Sequence, residues 1–246
     1  MSLIVLSKEN TTATIETNGA WVKSFRVGEQ EVLMPGFKFE KDSKIKIRGG
    51  IPLLFPNAGQ AIKTEKLCLA QHGFARDLVW ENVKQQSDLL VLRLVDFQNT
   101  FSIFPYHFVV EAVFAISKNL LKLSLNVFNN DKVNIPLAPG FHPYFNLVKN
   151  NRVKLKLNEN KFKYDGLTSY KNSKSPIKFQ LPYCGNILLS FSDNLKNVSY
   201  WSEQDGDFIC IEPWVGGEKA ILDNSLRINL EPSKKVQFNL NIEKLL

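Results

Sequence analysis

Residues 121–128 read LKLSLNVF, and leucine or valine alternates in this stretch with lysine, serine or asparagine. Because successive side chains of a β-strand point to opposite faces, this pattern predicts a strand with one apolar and one polar face. Residues 236–245, VQFNLNIEKL, repeat the alternation. The two stretches therefore predict a fold built from half-buried antiparallel strands.

Short turn signals separate the alternating segments. The pair Lys118-Asn119 stands just before the first of these strands, and Asn18-Gly19 and Gly216-Gly217 are further examples. Such pairs favour the tight turns that join antiparallel strands. No amphipathic helix longer than about two turns is evident, and no linker composition interrupts the chain. We predict an all-β fold, a large antiparallel β-sandwich, as a single domain over residues 1–246.

The composition argues against several classes of protein. Hydrophobic residues make up 44% and charged residues 22% of the chain, as in soluble globular proteins. The net charge is +7, but the lysines are spread along alternating segments, so we expect no nucleic-acid partner. No apolar run approaches the ~18 residues of a membrane span, and residues 1–10 lack the features of a signal peptide.

The cysteines and the short motifs point to neither disulfides nor a bound cofactor. The number of cysteines is odd and no C-x-x-C occurs (Cys68, Cys184 and Cys210). The histidines show no H-x-H or H-x-x-x-H spacing for a metal, and no G-x-G-x-x-G or P-loop is present for a nucleotide. We expect a cytoplasmic protein with reduced thiols, no metal and no cofactor.

Four segments rich in glycine, proline and aromatic residues break the alternation. They are residues 47–60 (IRGGIPLLFPNAGQ), 71–81 (QHGFARDLVWE), 138–147 (APGFHPYFNL) and 209–217 (ICIEPWVGG). Irregular segments on a rigid scaffold are common places for a binding site. All of the main candidate site residues lie in these segments.

Two of the three histidines lie in the irregular segments. His72 precedes Gly73, which would let a ligand approach the backbone closely, and it is either a site residue or a surface loop histidine. His142 precedes Pro143, which holds the backbone of His142 extended. It is either a placed proton donor or a core histidine bonded to a carbonyl. His107 begins an alternating segment, and we interpret it as structural.

Glu212 is the carboxylate with the clearest site signature. It follows the apolar run 209–211 and precedes a Pro-Trp turn, so it leaves a buried strand. Burial disfavours the charged form, so the pKa of an unpaired Glu212 should be raised, which suits a general base near neutral pH. Alternatively, Glu212 forms a structural ion pair with Arg48 or Arg76.

The same segments hold groups that could bind a substrate. The guanidinium forks of Arg48 and Arg76 suit a hydroxyl, a carboxylate or a phosphate, or an ordinary salt bridge. An aromatic lining would suit a sugar ring, although aromatic side chains more often belong to the core. The aromatic residues concerned are Phe55, Phe74, Trp80, Tyr144, Phe145 and Trp214.

The four irregular segments, in this order, resemble the aldose 1-epimerase (galactose mutarotase-like) superfamily, near its hexose-6-phosphate epimerase branch. The resemblance implies a sandwich with a sugar bound in a cleft over one sheet. It implies His142 as the acid that protonates the ring oxygen and Glu212 as the base that takes the anomeric proton. His72 would bind near the ring oxygen, and no metal or nucleotide cofactor is implied.

The resemblance also implies residues that contact the substrate. These are Arg48 and Arg76, at sugar- or phosphate-contacting positions. We also expect Gln60 and Trp214 to bind the substrate. Members of the superfamily usually carry a further active-site Asp between the His-Pro and Glu-Pro segments. Asp165 and Asp193 are two positions for it, and neither lies in a motif that decides the choice.

We predict a mutarotase that interconverts the α and β anomers of a hexose or hexose 6-phosphate, as a monomer or weak homodimer. The alternative from another class is a carbohydrate-binding or regulatory protein on the same fold. That alternative would tolerate Asn and Gln at the positions of His142 and Glu212. A glycoside hydrolase is a third interpretation, but its chemistry normally needs two carboxylates, and only Glu212 stands out.

Overall fold

A computed structural model describes residues 2–41, 43–147, 166–171, 173–203 and 206–245. Most of its regular structure is β-strand. The strands are β1 (Leu3–Lys8), β2 (Thr11–Glu16), β3 (Trp21–Val27), β4 (Gln30–Glu31), β5 (Phe37–Lys41), β6 (Lys44–Arg48), β7 (Leu53–Leu54), β8 (Ile62–Lys63), β9 (Cys68–Leu69), β10 (Glu81–Gln85), β11 (Leu89–Val95), β12 (Phe108–Ser117), β13 (Leu120–Asn129), β14 (Ile135–Leu137), β15 (Gly140–Phe141), β16 (Tyr144–Asn146), β17 (Gly166–Lys171), β18 (Ile177–Leu181), β19 (Gly185–Phe191), β20 (Asn197–Ser202), β21 (Phe208–Trp214), β22 (Ile228–Leu230) and β23 (Lys235–Lys244).

Helical structure in the described residues is short. It consists of α1 (Gln98–Ile103) and two single 3₁₀ turns, Ala75–Asp77 and Ala220–Leu222. Within the described ranges, no helix reaches the length and apolar character that a membrane span requires.

The strands form two large sheets and several small ones. One large sheet has the order β10-β11-β12-β13-β23-β19-β18. The other has the order β17-β20-β21-β15-β7, with β16 also paired to β21. The first four strands form a separate sheet, β1-β2-β3-β4. Neighbouring strands of the large sheets pair antiparallel, which confirms the predicted all-β antiparallel sandwich.

The alternating stretch 121–128 lies in β13, near the centre of the seven-stranded sheet. Its four aliphatic side chains are buried, and Leu123 and Leu125 stand opposite Leu240 and Phe238 of β23. Burying one such side chain contributes roughly 1.5–3 kcal/mol relative to leaving it exposed. The period-two pattern therefore fixes which face of β13 and β23 packs into the core.

The hairpin between β12 and β13 turns at Lys118-Asn119, as the turn signal predicts. Asn119 has a φ of 59°, in the left-handed region that asparagine tolerates better than most residues. Its backbone N–H donates to Thr11 Oγ1 at 2.8 Å. This bond connects the hairpin to β2 of the four-stranded sheet.

One continuous cluster of buried apolar side chains joins the sheets. It includes Leu125 and Phe238 of the seven-stranded sheet, Ile15 of β2, and Ile209 and Ile211 of β21. Because side chains alternate along a strand, the other side chains of β21 point away from this core. They form the site described below. That residues 1–246 make up one domain stays a prediction.

Candidate active site

Strand β21 positions the central carboxylate. All seven of its residues are buried. Ile209 and Ile211 face the main core, and the alternate residues Cys210, Glu212 and Trp214 share the opposite face. Glu212 is therefore held on a strand that is packed on both sides, as its sequence context predicted.

Pairing of two strands brings His142 to Glu212. Strands β15 and β16 pair with β21 in one unbroken antiparallel register, which places His142, between them, opposite Glu212. His142 Nε2 lies 3.5 Å from Glu212 Oε2, and the two side chains are 7% and 1% exposed. On the other side of β21, Ser199 of β20 stands opposite Glu212. The two predicted catalytic residues thus meet as cross-strand neighbours.

Aromatic rings form one wall beside this pair. The ring of Tyr144 stacks on that of His142, with centroids 4.6 Å apart and planes 3° apart. Trp201 stands edge-on to His142 at 6.1 Å. Phe208 packs against Tyr144 and Trp201 at 5.2 and 5.1 Å. The imidazole of His142 is therefore held in one orientation by packing.

The predicted aromatic lining divides between the core and the site. Tyr144 and Trp214 lie on the site face, in small clusters separate from the main core. The other four rings belong to the main core, and they are those of Phe55, Phe74, Trp80 and Phe145. For these four, core packing is the correct interpretation.

Burial moves the pKa values of the central pair in opposite directions. It raises the pKa of Glu212 well above its ordinary value, against the opposing effects of the Trp214 indole and the Arg76 charge. It lowers the pKa of His142 well below its ordinary value, and the nearby His72 and Arg76 lower it further. Burial therefore favours a neutral imidazole beside a protonated carboxyl, the reverse of their order of titration in water.

Three buried polar atoms of the site lack a hydrogen-bond partner among the described residues. They are His142 Nδ1, Glu212 Oε2 and Trp214 Nε1. The indole N–H of Trp214 is near enough to the carboxyl to lower its pKa, but the two groups are not hydrogen-bonded. Since most buried polar atoms in proteins are bonded, these atoms are suited to a polar ligand.

His72 lies beside His142, as predicted, with ring centroids 5.4 Å apart. Its backbone N–H donates to Gly59 O at 2.9 Å, and its ring Nδ1 bonds Ala58 O. Because a carbonyl oxygen only accepts, Nδ1 carries the proton, and Nε2 of the neutral ring is an acceptor. Burial, followed by the charge of Arg76, lowers the pKa of His72 to about 4. His72 is therefore a buried histidine beside His142, and the surface-loop interpretation is wrong.

The role expected for Gly73 needs correction. We expected this glycine to leave room for a ligand, but the backbone of the protein itself fills that space. Gly73 has a φ of +73°, and a Cβ there would lie 2.0 Å from Phe55 O. Its neighbour His72 also has a left-handed φ, 67°. The glycine is needed for the tight turn that presents His72.

Arg48 is engaged by another carboxylate. Its Nη1 and Nη2 donate to the two carboxylate oxygens of Glu203 at 2.8 and 2.7 Å. The guanidinium lies over three rings, those of Phe39, Trp201 and Phe208. Arg48 therefore packs against the aromatic wall, and its salt bridge is with Glu203, not with Glu212.

Arg76 lies in the 3₁₀ turn Ala75–Asp77 and is half-buried. Its Nη2 donates to Gln71 O at 3.2 Å, and it makes no ion pair within the described residues. Burial lowers the pKa of Arg76, while Asp77, Tyr144 and Glu212 act in the opposite direction. Arg76 is thus a cation without a salt bridge to any described residue, and its charge lowers the pKa values of both His142 and Glu212.

The structure locates the remaining predicted residues as follows. Gln60 lines a cavity of about 600 Å³. Asn197, which lies opposite Trp214 in the strand pairing, lines the same cavity, so the cavity is next to the site. Asp193 is exposed, and it lines a cavity of about 330 Å³ that contains none of the predicted catalytic residues. Asp165 lies outside the described residues.

Three neighbours of the His142–Glu212 pair were missed from sequence: Ser199, Trp201 and Cys210. Cys210 has a local signal, because it lies two residues before Glu212 and such residues share a face of a strand. Ser199 and Trp201 come from β20, and no local pattern indicates that β20 pairs with β21.

The site is thus a buried histidine–glutamate pair within an all-β antiparallel sandwich. The chain belongs to the aldose 1-epimerase family, which it matches over residues 2–180.

Solved structures share the fold over nearly the whole chain. A protein from Synechocystis has a TM-score of 0.85 and 25% identity, over 98% of this chain and 95% of that one. The galactose mutarotase related enzyme from Lactobacillus acidophilus has a TM-score of 0.80 and 17% identity, over 100% and 98%.

A curated relative is similar over a shorter region. The "Putative glucose-6-phosphate 1-epimerase" of Salmonella typhimurium is 28% identical over 152 residues, which is 60% of this chain and 49% of that protein. The match thus spans about half the length of this relative and of its Escherichia coli counterpart.

Proposed function

We propose that this protein is a mutarotase that interconverts the α and β anomers of a hexose or hexose 6-phosphate through ring opening. One observation carries the proposal. His142 Nε2 lies 3.5 Å from Glu212 Oε2 in a buried site. Oε2 has no hydrogen-bond partner among the described residues. The two groups that we assign as proton donor and proton acceptor therefore lie side by side, and one of them has an unsatisfied polar atom.

The reaction needs one proton to be given and one to be taken. His142 protonates the pyranose ring oxygen while Glu212 takes the proton of the anomeric hydroxyl, and the C1–O5 bond breaks to give the aldehyde. Rotation about C1–C2 then presents the other face of the carbonyl. Ring closure reverses both transfers, so each group acts as acid in one direction and as base in the other. The pair holds one proton throughout.

Burial poises the pair for both directions. The protonated Glu212 and neutral His142 that burial favours form the state that ring closure requires. Ring opening requires the same proton on His142, with Glu212 ionised. Hydroxyls of a bound sugar would donate to Oε2 and stabilise that second state. Because the two groups are only 3.5 Å apart, the two protonation states of the pair need little movement of the side chains to interconvert.

His72 and Arg76 fit binding roles around this pair. The neutral His72 offers Nε2 as an acceptor for a sugar hydroxyl, close to where the resemblance places the ring oxygen. Arg76, which has no salt bridge among the described residues, suits the phosphate of a hexose 6-phosphate. Arg48 would have to share its guanidinium with Glu203 to do the same.

A glycoside hydrolase is the less favoured interpretation. That chemistry normally uses two carboxyl groups on either side of the glycosidic bond. Of the described acidic residues only Glu16 and Glu212 are buried, and Glu16 forms ion pairs with Lys23 and Lys38. Within the described residues, no second buried carboxyl therefore faces Glu212.

The test is anomer exchange followed by NMR on glucose, galactose and glucose 6-phosphate, with and without the protein. We expect faster exchange on at least one of these sugars. Acceleration of glucose 6-phosphate alone would identify a hexose-6-phosphate epimerase, and acceleration of the free sugars a general aldose epimerase. Unchanged exchange on all three, with sugar binding retained, would favour the carbohydrate-binding alternative and contradict the proposal. The cytoplasmic location and the monomeric or weakly dimeric state stay predictions.

A further inference from the structure

The thiol of Cys210 lies beside the acid/base pair and has no part in the proposed reaction. Cys210 is a free, fully buried cysteine two residues before Glu212 on β21. Its ladder neighbours are Tyr144 and Trp201, whose rings form the aromatic wall. A sulfur, a carboxyl and an imidazole thus converge on one face of the sheet.

The three groups have the spacing of a metal site. One ligand atom from each of His142, Cys210 and Glu212 lies within 4.8 Å of the other two. In a tetrahedral site with bonds of about 2.1 Å, two nitrogen or oxygen ligands lie roughly 3.4 Å apart. The 3.5 Å between His142 Nε2 and Glu212 Oε2 already matches this value. Because all three ligand atoms lie within 4.8 Å of one another, the third ligand, Cys210 Sγ, would have to move by about 1 Å at most.

The local hydrogen bonding supports the same site. Glu212 Oε2, the oxygen that faces the imidazole, is buried and has no hydrogen-bond partner among the described residues. A buried polar atom without a bond calls for an explanation, and an unidentified ligand is one.

We propose that Zn²⁺ binds His142, Cys210 and Glu212 and thereby inhibits the enzyme. Zn²⁺ accepts nitrogen, sulfur and oxygen ligands in a tetrahedral arrangement, whereas Mg²⁺ and Ca²⁺ take oxygen ligands. Three protein ligands leave a fourth position for water or for a sugar hydroxyl. The metal occupies the lone pairs that the reaction needs on both catalytic groups, so bound Zn²⁺ and turnover exclude each other.

The charge of the site is balanced when the metal is bound. Binding releases the protons of the Cys210 thiol and the Glu212 carboxyl to solvent, and the two anionic ligands offset the charge of Zn²⁺. Arg76 opposes a cation here, because its charge is felt at Glu212. We therefore expect the binding to be reversible and the enzyme to be active in the absence of excess zinc. Only the inhibitory part of the proposal rests on the proposed function.

The sequence alone could not reveal this site. Cys210 and Glu212 are two residues apart, but His142 comes from a different part of the chain and joins them only through strand pairing. The motif rules for zinc rely on pairs of ligands that are close in sequence.

The site itself is tested with Co²⁺, which substitutes for Zn²⁺ and gives a charge-transfer absorption band when a thiolate binds it. We expect the full-length protein to show this band, and Cys210→Ser to lose it. Cys184→Ser is the matched control, because Cys184 is also buried but lies away from the site. Cys68→Ser controls for the exposed thiol. Both controls should keep the band, and added Zn²⁺ should remove it.

Inhibition is tested with buffered Zn²⁺ in the anomer-exchange assay. We expect Cys210→Ser to keep its turnover and to need at least ~10-fold more Zn²⁺ for half inhibition, as expected on loss of a metal contact. EDTA should restore activity of the wild-type protein.

Several results would overturn the proposal. They are absence of the band in the wild-type protein, its persistence in Cys210→Ser, and equal Zn²⁺ inhibition of both. Because the band does not depend on turnover, it tests the metal site even if the proposed mutarotase activity is absent.

Discussion

His142 and Glu212 face each other across two antiparallel strands, with 3.5 Å between Nε2 and Oε2. The strand register, and not a loop, sets this relationship, because β15 and β16 pair with β21 on either side of His142. Glu212 lies on a regular strand, and His142 lies in the two-residue gap between two strands that pair with it, so both are held more accurately than residues on a long loop. We therefore expect the pair to behave as one unit that contains one labile proton.

Removing either member of the pair should remove the function of both. We expect His142→Asn and Glu212→Gln each to lower kcat at least ~100-fold, as is usual for loss of a general acid or base. The double variant should be little worse than either single variant, because neither partner works without the other. Anomer-exchange rates of the three variants measure this, with circular dichroism to confirm that each is folded. Fully additive losses would show that the two residues act independently.

The ionisation of the pair can be observed directly. Because burial lowers the pKa values of His142 and His72, both imidazoles should be neutral at pH 7. His107 is an internal reference: it is exposed and lies 2.8 Å from Asp96, whose hydrogen bond raises its pKa. In ¹⁵N NMR, His107 should therefore titrate at a higher pH than the other two. A protonated His142 at pH 7 in the empty protein would contradict the account.

The same order of ionisation shapes the pH dependence of kcat/KM. The pair starts with one proton, on Glu212. As the pH falls, a second proton binds to His142, and as the pH rises, Glu212 loses its proton. Activity should therefore fall on the acidic side as His142 becomes charged and on the alkaline side as Glu212 ionises, with a plateau between. A rate profile that falls with decreasing pH at the ordinary pKa of a free histidine would be inconsistent with a buried His142.

Substrate preference should depend on the two arginines unequally. Arg76→Gln should raise KM for glucose 6-phosphate at least ~10-fold, because the contact between the guanidinium and the phosphate is lost. The same change should raise KM for glucose much less. Glu203→Gln should lower KM for glucose 6-phosphate, since it releases the guanidinium of Arg48. Steady-state kinetics on both sugars give the comparison. Equal effects on the two sugars would place the phosphate elsewhere or exclude a phosphosugar.

His72 should make the protein less stable in acid. The unfolded chain binds a proton at His72 near its ordinary pKa of 6.5, but the folded protein only at about 4. Between these two pKa values the unfolded chain binds a proton that the folded protein does not, so acid favours unfolding. As the pH falls from 6.5 to about 4, the free energy of unfolding should therefore decrease by about 3 kcal/mol on account of His72. Urea unfolding near pH 7 and pH 4 measures the change.

His72→Asn is the matched variant for that experiment. Asparagine tolerates the left-handed backbone found at this position but does not titrate there. The variant should stay folded and lose less stability in acid than the wild type. Identical pH dependence of the two proteins would show that His72 is not buried in the neutral form.

The fold could be predicted because strand alternation is a local signal. The alternation in the stretch 121–128 predicts burial of its four aliphatic residues, and the structure confirms it for Leu121, Leu123, Leu125 and Val127. The carboxylate of Glu212 was found for the same reason, since the apolar run before it indicates a buried strand.

The arrangement of the site depends on strand pairing, which local patterns do not contain. Nothing near Arg48 indicates that Glu203 occupies its guanidinium. Ser199 and Trp201 reach the site only because β20 lies beside β21. The resemblance to a family supplied the pairing of His142 with Glu212, and the residue-level reasoning alone left both of them open.

The most direct test of the central claim is the α to β exchange rate of the accepted sugar, measured by NMR for the wild-type protein and for Glu212→Gln at equal concentration. Glutamine keeps the shape of the side chain but cannot take or give the proton. The account predicts clear acceleration by the wild type and a rate within a small margin of the uncatalysed exchange for the variant. A Glu212→Gln protein that exchanges anomers nearly as fast as the wild type would contradict it.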